Sequence, residues 1–479
     1  MGKARGLLVL GALVLAGCGG SSAPKPSNAV LHLALPLVPS RFDPTTAPDL
    51  PSLNVAHELY SGLTRYSGTG VEPDLAESWD VDRDGLVWTF HLRKGLRWSD
   101  DSPILAGDFR RAWLHALDPK TAAPYAGPYL GIVRGARRFH ATGKGSLGVR
   151  ALDDRTLQVT LQHPVPWFDE LVAHPVTALP PPRPSAFSGP FRLASRSGGR
   201  LVLERNFDYW DAKAVEPSRI VLSTARSGVD GVLPRGLAGP GLPWVQTPIA
   251  RAGRRLPLLA IELLWFVRPQ AQRAVPIDRG SIAAAVGDPT LTELVPTAMP
   301  GRKEIATGRS VTVAATLVPQ TLRLAYTTQD ALAQTLVPEL TAKLARSHVT
   351  VDPVAFPTLT ALVRAAGPPA RRDLDLVLLG WSSKLFDQYN IFDLFPCGSA
   401  FNVARWCDPG YDALMQKTVR ELGDNARWRF EHEVLGKLQG ALPAVPVAQP
   451  FERVTLARGV SGFSWSPIGF YELMGMTRS

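Results

Sequence analysis

Cys397 and Cys407 are the residues whose type and spacing first suggest covalent chemistry. Two cysteines ten residues apart in an exported chain suggest a disulfide closing a short loop. Metal binding is the alternative. With no histidine nearby, two thiolates alone make a poor closed zinc site, so the disulfide is favoured and no metal is expected. Catalytic constellations are missing. The nine histidines are scattered, with no His-Glu-x-x-His pair and no Gly-x-Ser-x-Gly elbow. Gly143-Lys144 lacks the upstream glycine and the following Ser or Thr of a phosphate loop, so it is read as a turn. Carboxylates are plentiful, but none stands out as an acid/base couple. These residue types point away from an enzyme, and no cofactor is expected.

Cys18 sits in a different setting. Lys3 and Arg5 form a basic start, and Leu7 to Leu15 form an apolar run, too short to span a bilayer but suited to a signal-peptide core. The run ends in Leu15-Ala16-Gly17-Cys18, followed by Gly19-Gly20-Ser21-Ser22. That stretch resembles the bacterial lipobox, whose cysteine is lipidated and becomes the mature N-terminus; the thiolate is the nucleophile. Residues 1–18 are therefore expected to be a lipoprotein signal peptide and 19–28 a flexible tether. The alternative is a chance cysteine behind a secretory leader. Either way the expected address is extracytoplasmic: periplasm or cell surface, with a lipid on Cys18 as the membrane anchor.

With 45% hydrophobic and 20% charged residues, the chain is neither disordered nor a polytopic membrane protein. A length of 479 residues calls for two or three folding units. The 43 prolines and 42 glycines imply many loops and few long helices. The net charge of +10 is dispersed in short clusters such as Arg110-Arg111 and Arg371-Arg372. It reads as a solvated surface and not as a nucleic-acid footprint.

Several elements can be read that would position a site. Ala29 to Leu37 reads as a buried strand and Asn54 to Leu63 as a helix. Leu86 to Leu92 alternates as a half-buried strand behind the turn Asp82-Arg83-Asp84-Gly85, which predicts a hairpin. Asp108 to Leu117 reads as a helix stopped by Asp118-Pro119, and Leu157 to Leu161 and Leu201 to Arg205 as strands. Pro180 to Pro184 looks like a crossover between units. Residues 225–310 show weak periodicity. From Leu322 to Leu379 the order is strand, helix, strand, helix, strand, which implies a doubly wound α/β lobe with parallel strands. Pro409 to Leu422 and Ala426 to Leu442 read as helices, with extended chain beyond Pro443.

Several blocks, in order, resemble the family 5 extracellular solute-binding proteins. They are Val71-Glu72-Pro73-Asp74-Leu75-Ala76-Glu77-Ser78-Trp79, and Trp88-Thr89-Phe90-His91-Leu92-Arg93-Lys94-Gly95-Leu96-Arg97-Trp98-Ser99-Asp100. Ser188 to Leu193, Leu203 to Trp210, Gly380-Trp381 and Tyr411 to Leu414 follow. Asp118 to Ala126 and Leu147 to Asp154 are similar to the oligopeptide-binding branch in particular. Ala274 to Arg279 resembles a further family helix, but Pro276 would break or displace it.

The resemblance implies a two-lobe periplasmic-binding-protein fold (type II-like, three-domain cluster C), with the ligand cleft between the lobes. Lobe I would combine residues 29–60, 187–265 and 455–479; 61–186 would be a domain inserted in it, and 266–454 would form lobe II. It further implies a monomeric receptor that captures a peptide or peptide-like ligand, closes by a hinge, and serves the permease and ATPase subunits of an ABC importer.

The family places an aspartate after the Gly-Trp strand end to pair with a peptide's α-ammonium. Here the segment reads Gly380-Trp381-Ser382-Ser383-Lys384-Leu385-Phe386-Asp387-Gln388, so Trp381 is kept and Lys384 takes the aspartate's place. An ammonium beside the ligand's ammonium would be repelled. Three readings follow: the ligand lacks a free amine or presents a carboxylate, Asp387 takes over the pairing, or binding is lost. Pro48-Asp49-Leu50-Pro51-Ser52 lines up with a stretch that pairs with the peptide main chain as an added strand. Asp49 could instead supply the missing negative charge, and the loop could also be an ordinary proline-rich turn. Tyr125 matches a family tyrosine near the cleft, though a core role suits it equally. The rival to a transport receptor is a lipoprotein that keeps this fold as a sensor or scaffold, or a receptor for a non-peptide ligand.

Overall fold

The computed structural model describes residues 29–183, 185–234, 253–268, 273, 275–287, 294–307, 318–366 and 373–479. The leader, Cys18 and the tether lie outside them, as does Ala274.

Val30–Ala34 buries Leu31 and Leu33 and sits inside a seven-stranded sheet. The strand order is Arg254–Pro257, Phe451–Leu456, Gly231–Val232, Val30–Ala34, Arg219–Ser223, Arg200–Arg205, Phe191–Ser197. Val30–Ala34 pairs in parallel with both of its neighbours. Parallel neighbours need a long crossover, and the chain between Ala34 and Arg219 uses it to build a further unit.

That unit carries a four-stranded antiparallel sheet in the order Ala76–Val81, Val87–Leu92, Thr156–Thr160, Val149–Ala151. The expected hairpin is present. Asp82 Oδ1 accepts from the backbone N–H of Leu86 at 2.7 Å and of Val87 at 3.0 Å, while Gly85 takes φ +68°. Trp88, Phe90 and Leu92 point inward, and the helix Ala106–Leu117 brings Phe109, Trp113 and Leu117 into the same core. Each such side chain contributes about 2 kcal/mol by leaving water.

The third sheet has five strands, ordered Val349–Phe356, Gln320–Thr327, Leu376–Ser382, Ala260–Phe266, Ala444–Ala448. The first three are parallel, as the alternating pattern implies. Ala260–Phe266 runs against both of its neighbours, so the sheet is mixed and not purely parallel. That strand lies within the stretch of weak periodicity. All seven of its residues are buried, and a strand buried on both faces shows no alternation.

Two boundaries also move. Ala260–Phe266 belongs to the second-lobe sheet and Phe451–Leu456 to the first, so the chain crosses between lobes just before Ala260 and just before Phe451. An apolar run carries no mark of which sheet it will join. The helix after Pro276 is displaced, running Arg279–Val286 with Asp278 accepting from Ser281 N–H at 3.1 Å as its cap. Cys397 and Cys407 are joined as a disulfide. No helix of the described residues is long and apolar enough to cross a membrane.

A polar network ties the inserted unit to the first lobe. Asp74 accepts from Gly62 N–H at 3.1 Å, Ser61 O–H at 3.3 Å and the Trp210 indole at 2.8 Å. The Arg93 guanidinium lies 3.6 Å from the Trp210 ring centre. Arg65 pairs with Glu472 and donates to the Tyr209 hydroxyl at 3.1 Å. At the chain's return, a Cβ on Gly189 would fall 2.6 Å from the Leu59 backbone, so only glycine fits.

Glu58 lies beneath this network and accepts from Leu473 N–H at 2.9 Å. Burial first, and the charge of Glu472 second, raise its pKa from 4.5 to about 8. The folded state thus keeps a proton that the unfolded chain has lost. This contribution is full below the unfolded value of 4.5 and is lost as pH rises toward about 8. Glu58→Gln is expected to flatten the pH dependence of stability across that window. Urea midpoints measured from pH ~5 to ~8 should fall less for the variant, by up to about 1 kcal/mol per pH unit.

Candidate ligand-binding site

The strand Leu376–Ser382 ends in Gly380-Trp381-Ser382. Gly380 makes room for the carboxyl of Glu262 on the adjacent strand, which a Cβ there would push aside. Burial first, then the neighbouring Asp330, hold the Glu262 pKa well above the carboxylate range. Trp381 is half-buried, its ring edge-on to Phe401 at 5.0 Å. Its indole N–H is buried without an acceptor among the described residues. Such an unmet donor costs free energy until something accepts from it.

Beyond the strand, the chain turns tightly and lies against the inserted unit. Lys384 N–H donates to Asn390 Oδ1 at 3.0 Å, and Phe386 N–H donates to Glu170 Oε2 of the insert at 2.7 Å. Tyr389 packs on Trp167 with ring centres 4.7 Å apart. Asp387 faces inward. Its Oδ2 accepts from Arg427 Nε at 2.8 Å and its Oδ1 from Tyr389 N–H at 2.8 Å. Both side chains of this ion pair are almost fully buried, at 7% and 3% exposure. Glu431 lies 4.0 Å from the same guanidinium. Burial and the Asp387 charge hold its pKa well above normal. Glu170 is raised likewise, by burial and then by Asp169.

Lys384 projects elsewhere. Its Nζ lies 5.9 Å from the centre of the Tyr129 ring, within cation–π range, and it forms no ion pair among the described residues. Tyr129 stacks on His174 at 3.9 Å, and His174 in turn contacts Tyr125 at 5.2 Å and Phe470 at 5.8 Å. His174 Nδ1 accepts from Val176 N–H at 3.1 Å, the neutral tautomer with its proton on Nε2. Burial, then the Lys384 charge, hold the His174 pKa well below normal.

The residues singled out by sequence have different fates. Trp381 and Lys384 share one segment, and Lys384 and Tyr125 flank the same Tyr129–His174 pair. Asp49 and Leu50 do not form an extended edge. Asp49 caps the helix Leu50–Leu59, accepting from Ser52 N–H at 2.9 Å, and Leu50 is buried in its first turn. The Pro48 carbonyl is engaged as well, accepting from the Tyr125 hydroxyl at 3.2 Å. Asp-Leu-Pro-Ser satisfies an N-cap with proline in the first turn better than it does a strand. Asp387 is likewise not available as a substitute carboxylate, because Arg427 holds it. Tyr129, His174, Glu170 and Arg427 escaped sequence reading. The one signal near them was Asp169-Glu170 behind Trp167-Phe168, two acids on an aromatic, partly buried turn.

Three main sheets, with an inserted unit on the first lobe and the chain crossing to the second and back, define a two-lobe solute-binding fold. The chain superposes over 93% of its length on the unliganded open form of the murein tripeptide-binding protein MppA, with TM-score 0.76 and 20% identity, covering 96% of that protein. On Haemophilus influenzae OppA bound to RPPGFSPFR the TM-score is 0.62 at 19% identity, covering 92% of this chain and 96% of that one. Residues 70–228 match the family model for the middle region of bacterial extracellular solute-binding proteins, family 5. The Escherichia coli periplasmic oligopeptide-binding protein OppA is 38% identical over 195 residues, which is 36% of this chain and 35% of that protein. Bacillus subtilis OppA is 33% identical over 243 residues, 45% of this chain and 44% of the relative. The chain thus spans less than half the length of these curated relatives. Over residues 70–228 it is similar to family 5 of the bacterial extracellular solute-binding proteins.

Removing one partner of a buried ion pair strands the other's charge. Arg427→Met is therefore expected to lose about 3–5 kcal/mol of unfolding free energy in urea titrations. Adding Asp387→Asn to that variant should recover part of the loss.

Proposed function

We infer that this chain is an extracytoplasmic receptor that captures a peptide or peptide-like ligand between its lobes. It passes the ligand to the permease and ATPase subunits of an ABC importer, with a lipid on Cys18 as the membrane anchor. The observation that carries this is the segment 381–389. It leaves a second-lobe strand, spans to the inserted unit, and presents an indole donor on Trp381 and an ammonium on Lys384 that are both without a partner among the described residues. Such a segment can bind and orient a ligand; it has no nucleophile–base pair with which to transform one. Binding then selects the closed arrangement, and the energy goes into shape and not into bond making. Oligopeptide binding in the names of relatives from Escherichia coli and Bacillus subtilis supports the same reading.

A non-peptide ligand is the second reading. It draws on a relative named as a probable deoxycholate-binding periplasmic protein in Escherichia coli, 44% identical over 150 residues and covering 30% of this chain and 28% of that protein. The aromatic surroundings of Lys384 would also suit a ligand with an apolar body.

Native mass spectrometry on the chain lacking residues 1–18, purified without denaturation, tests the choice. Co-purified peptides that disappear in Trp381→Ala are the expected result. A bound species outside peptide masses would favour the second reading, and no bound species with no thermal shift against a peptide library would refute the peptide reading and favour a non-peptide ligand or a scaffold.

A further inference from the structure

Lys384 is the one cation of the segment 381–389, and its side chain is half-buried. Its ammonium sees the ring of Tyr129, which stacks on His174, itself in contact with Tyr125 and Phe470. The carboxylates that could neutralise it are already committed. Asp387 is tied to Arg427 and to Tyr389 N–H, and Asp49 is tied to Ser52 N–H. Glu170 accepts from Phe386 N–H. His174 is neutral, with Nδ1 occupied as an acceptor.

Burial lowers the Lys384 pKa, and no nearby negative charge opposes that shift. A ring 5.9 Å away offsets only part of the desolvation. A ligand anion at hydrogen-bonding distance would offset far more, because charge-assisted bonds in a partly dry setting are about twice as strong as neutral ones. A ligand ammonium at the same place would meet like charge with no carboxylate free to relieve it.

We propose that Lys384 receives a carboxylate, so that the ligand is a peptide-like molecule whose end at this position is acidic or acid-capped and not a free α-amine. This rests on the receptor function inferred above and narrows its ligand class. Selectivity would arise from repulsion of the amine as much as from attraction of the acid.

The test uses one synthetic tripeptide library prepared in three forms: free α-amine, N-acetyl and N-succinyl. The forms compete for the full-length mature protein in native mass spectrometry and are then titrated singly by calorimetry. The N-succinyl form is expected to bind on the order of tenfold more tightly than either other form. That advantage should vanish in Lys384→Met and pass to the free amine in Lys384→Asp, with thermal melts confirming that both variants fold. Free-amine peptides binding as well as or better than succinylated ones would overturn the carboxylate assignment and leave the peptide receptor standing. A succinyl preference that survives Lys384→Met would overturn the role of Lys384. Retention of no form would overturn the assignment and the peptide reading together.

Discussion

The buried ion pair between Arg427 and Asp387 sets the geometry on which the candidate site depends. Arg427 comes from the long helix Asp424–Ala441, and Asp387 from the turn that follows the second-lobe strand. Their union pins that turn to the helix and frees the backbone of Phe386 to reach Glu170 of the insert. It brings Arg427 over Trp167, with 5.8 Å to the ring centre. It also consumes the segment's acidic side chain. Lys384, three residues earlier, is left facing aromatic rings with no carboxylate to answer it. A buried pair is seldom a large net gain over apolar packing, since desolvation takes back most of the Coulomb energy. Its value here is positional: the same pair that shapes the turn decides the sign of the charge presented beside it.

The residues most typical of the family do a different job. Asp74, Trp210 and Arg93 meet at the joint between the insert and the first lobe, and none of them lies beside Lys384. Asp74 gathers three donors, and Arg93 both covers the Trp210 ring and donates to the Asp74 carbonyl at 2.7 Å. These blocks therefore mark the architecture and say little about the ligand. The same holds for Gly189, fixed by a neighbour that leaves no room for a Cβ. Cleft chemistry can then vary on a constant frame.

Local pattern carried much of the fold. Val87–Leu92 alternates because one face is buried, and its turn carries Asp82 and Gly85 where a hairpin needs them. The helix Ala331–Ala345 starts at Asp330, which caps two backbone donors at its first turn. Where burial is two-sided the signal disappears, as in Ala260–Phe266, and with it went the direction of the strand and the lobe boundary. The site was legible only in part. Trp381 and Lys384 stand in a readable motif, whereas Arg427 lies forty residues from Asp387 and Glu170 lies 216 residues from Phe386. No local spacing reports partners that distant. At Asp49 and Leu50 the structure shows a helix cap where the resemblance implied an extended edge, because Asp-Leu-Pro-Ser with an apolar helix behind it favours the cap.

The central claim is that the turn 383–389 and the Tyr125–Tyr129 segment form the two sides of one ligand site, joined across the insert and the second lobe. Hydrogen–deuterium exchange on the mature protein, with and without a saturating N-succinyl tripeptide pool, addresses it most directly. The account predicts that the amides of 383–390 and of 125–131 gain protection together, while the first-lobe strands Arg200–Arg205 and Arg219–Ser223 do not change. Protection that appears at one side alone, or only on surfaces remote from both, would contradict it.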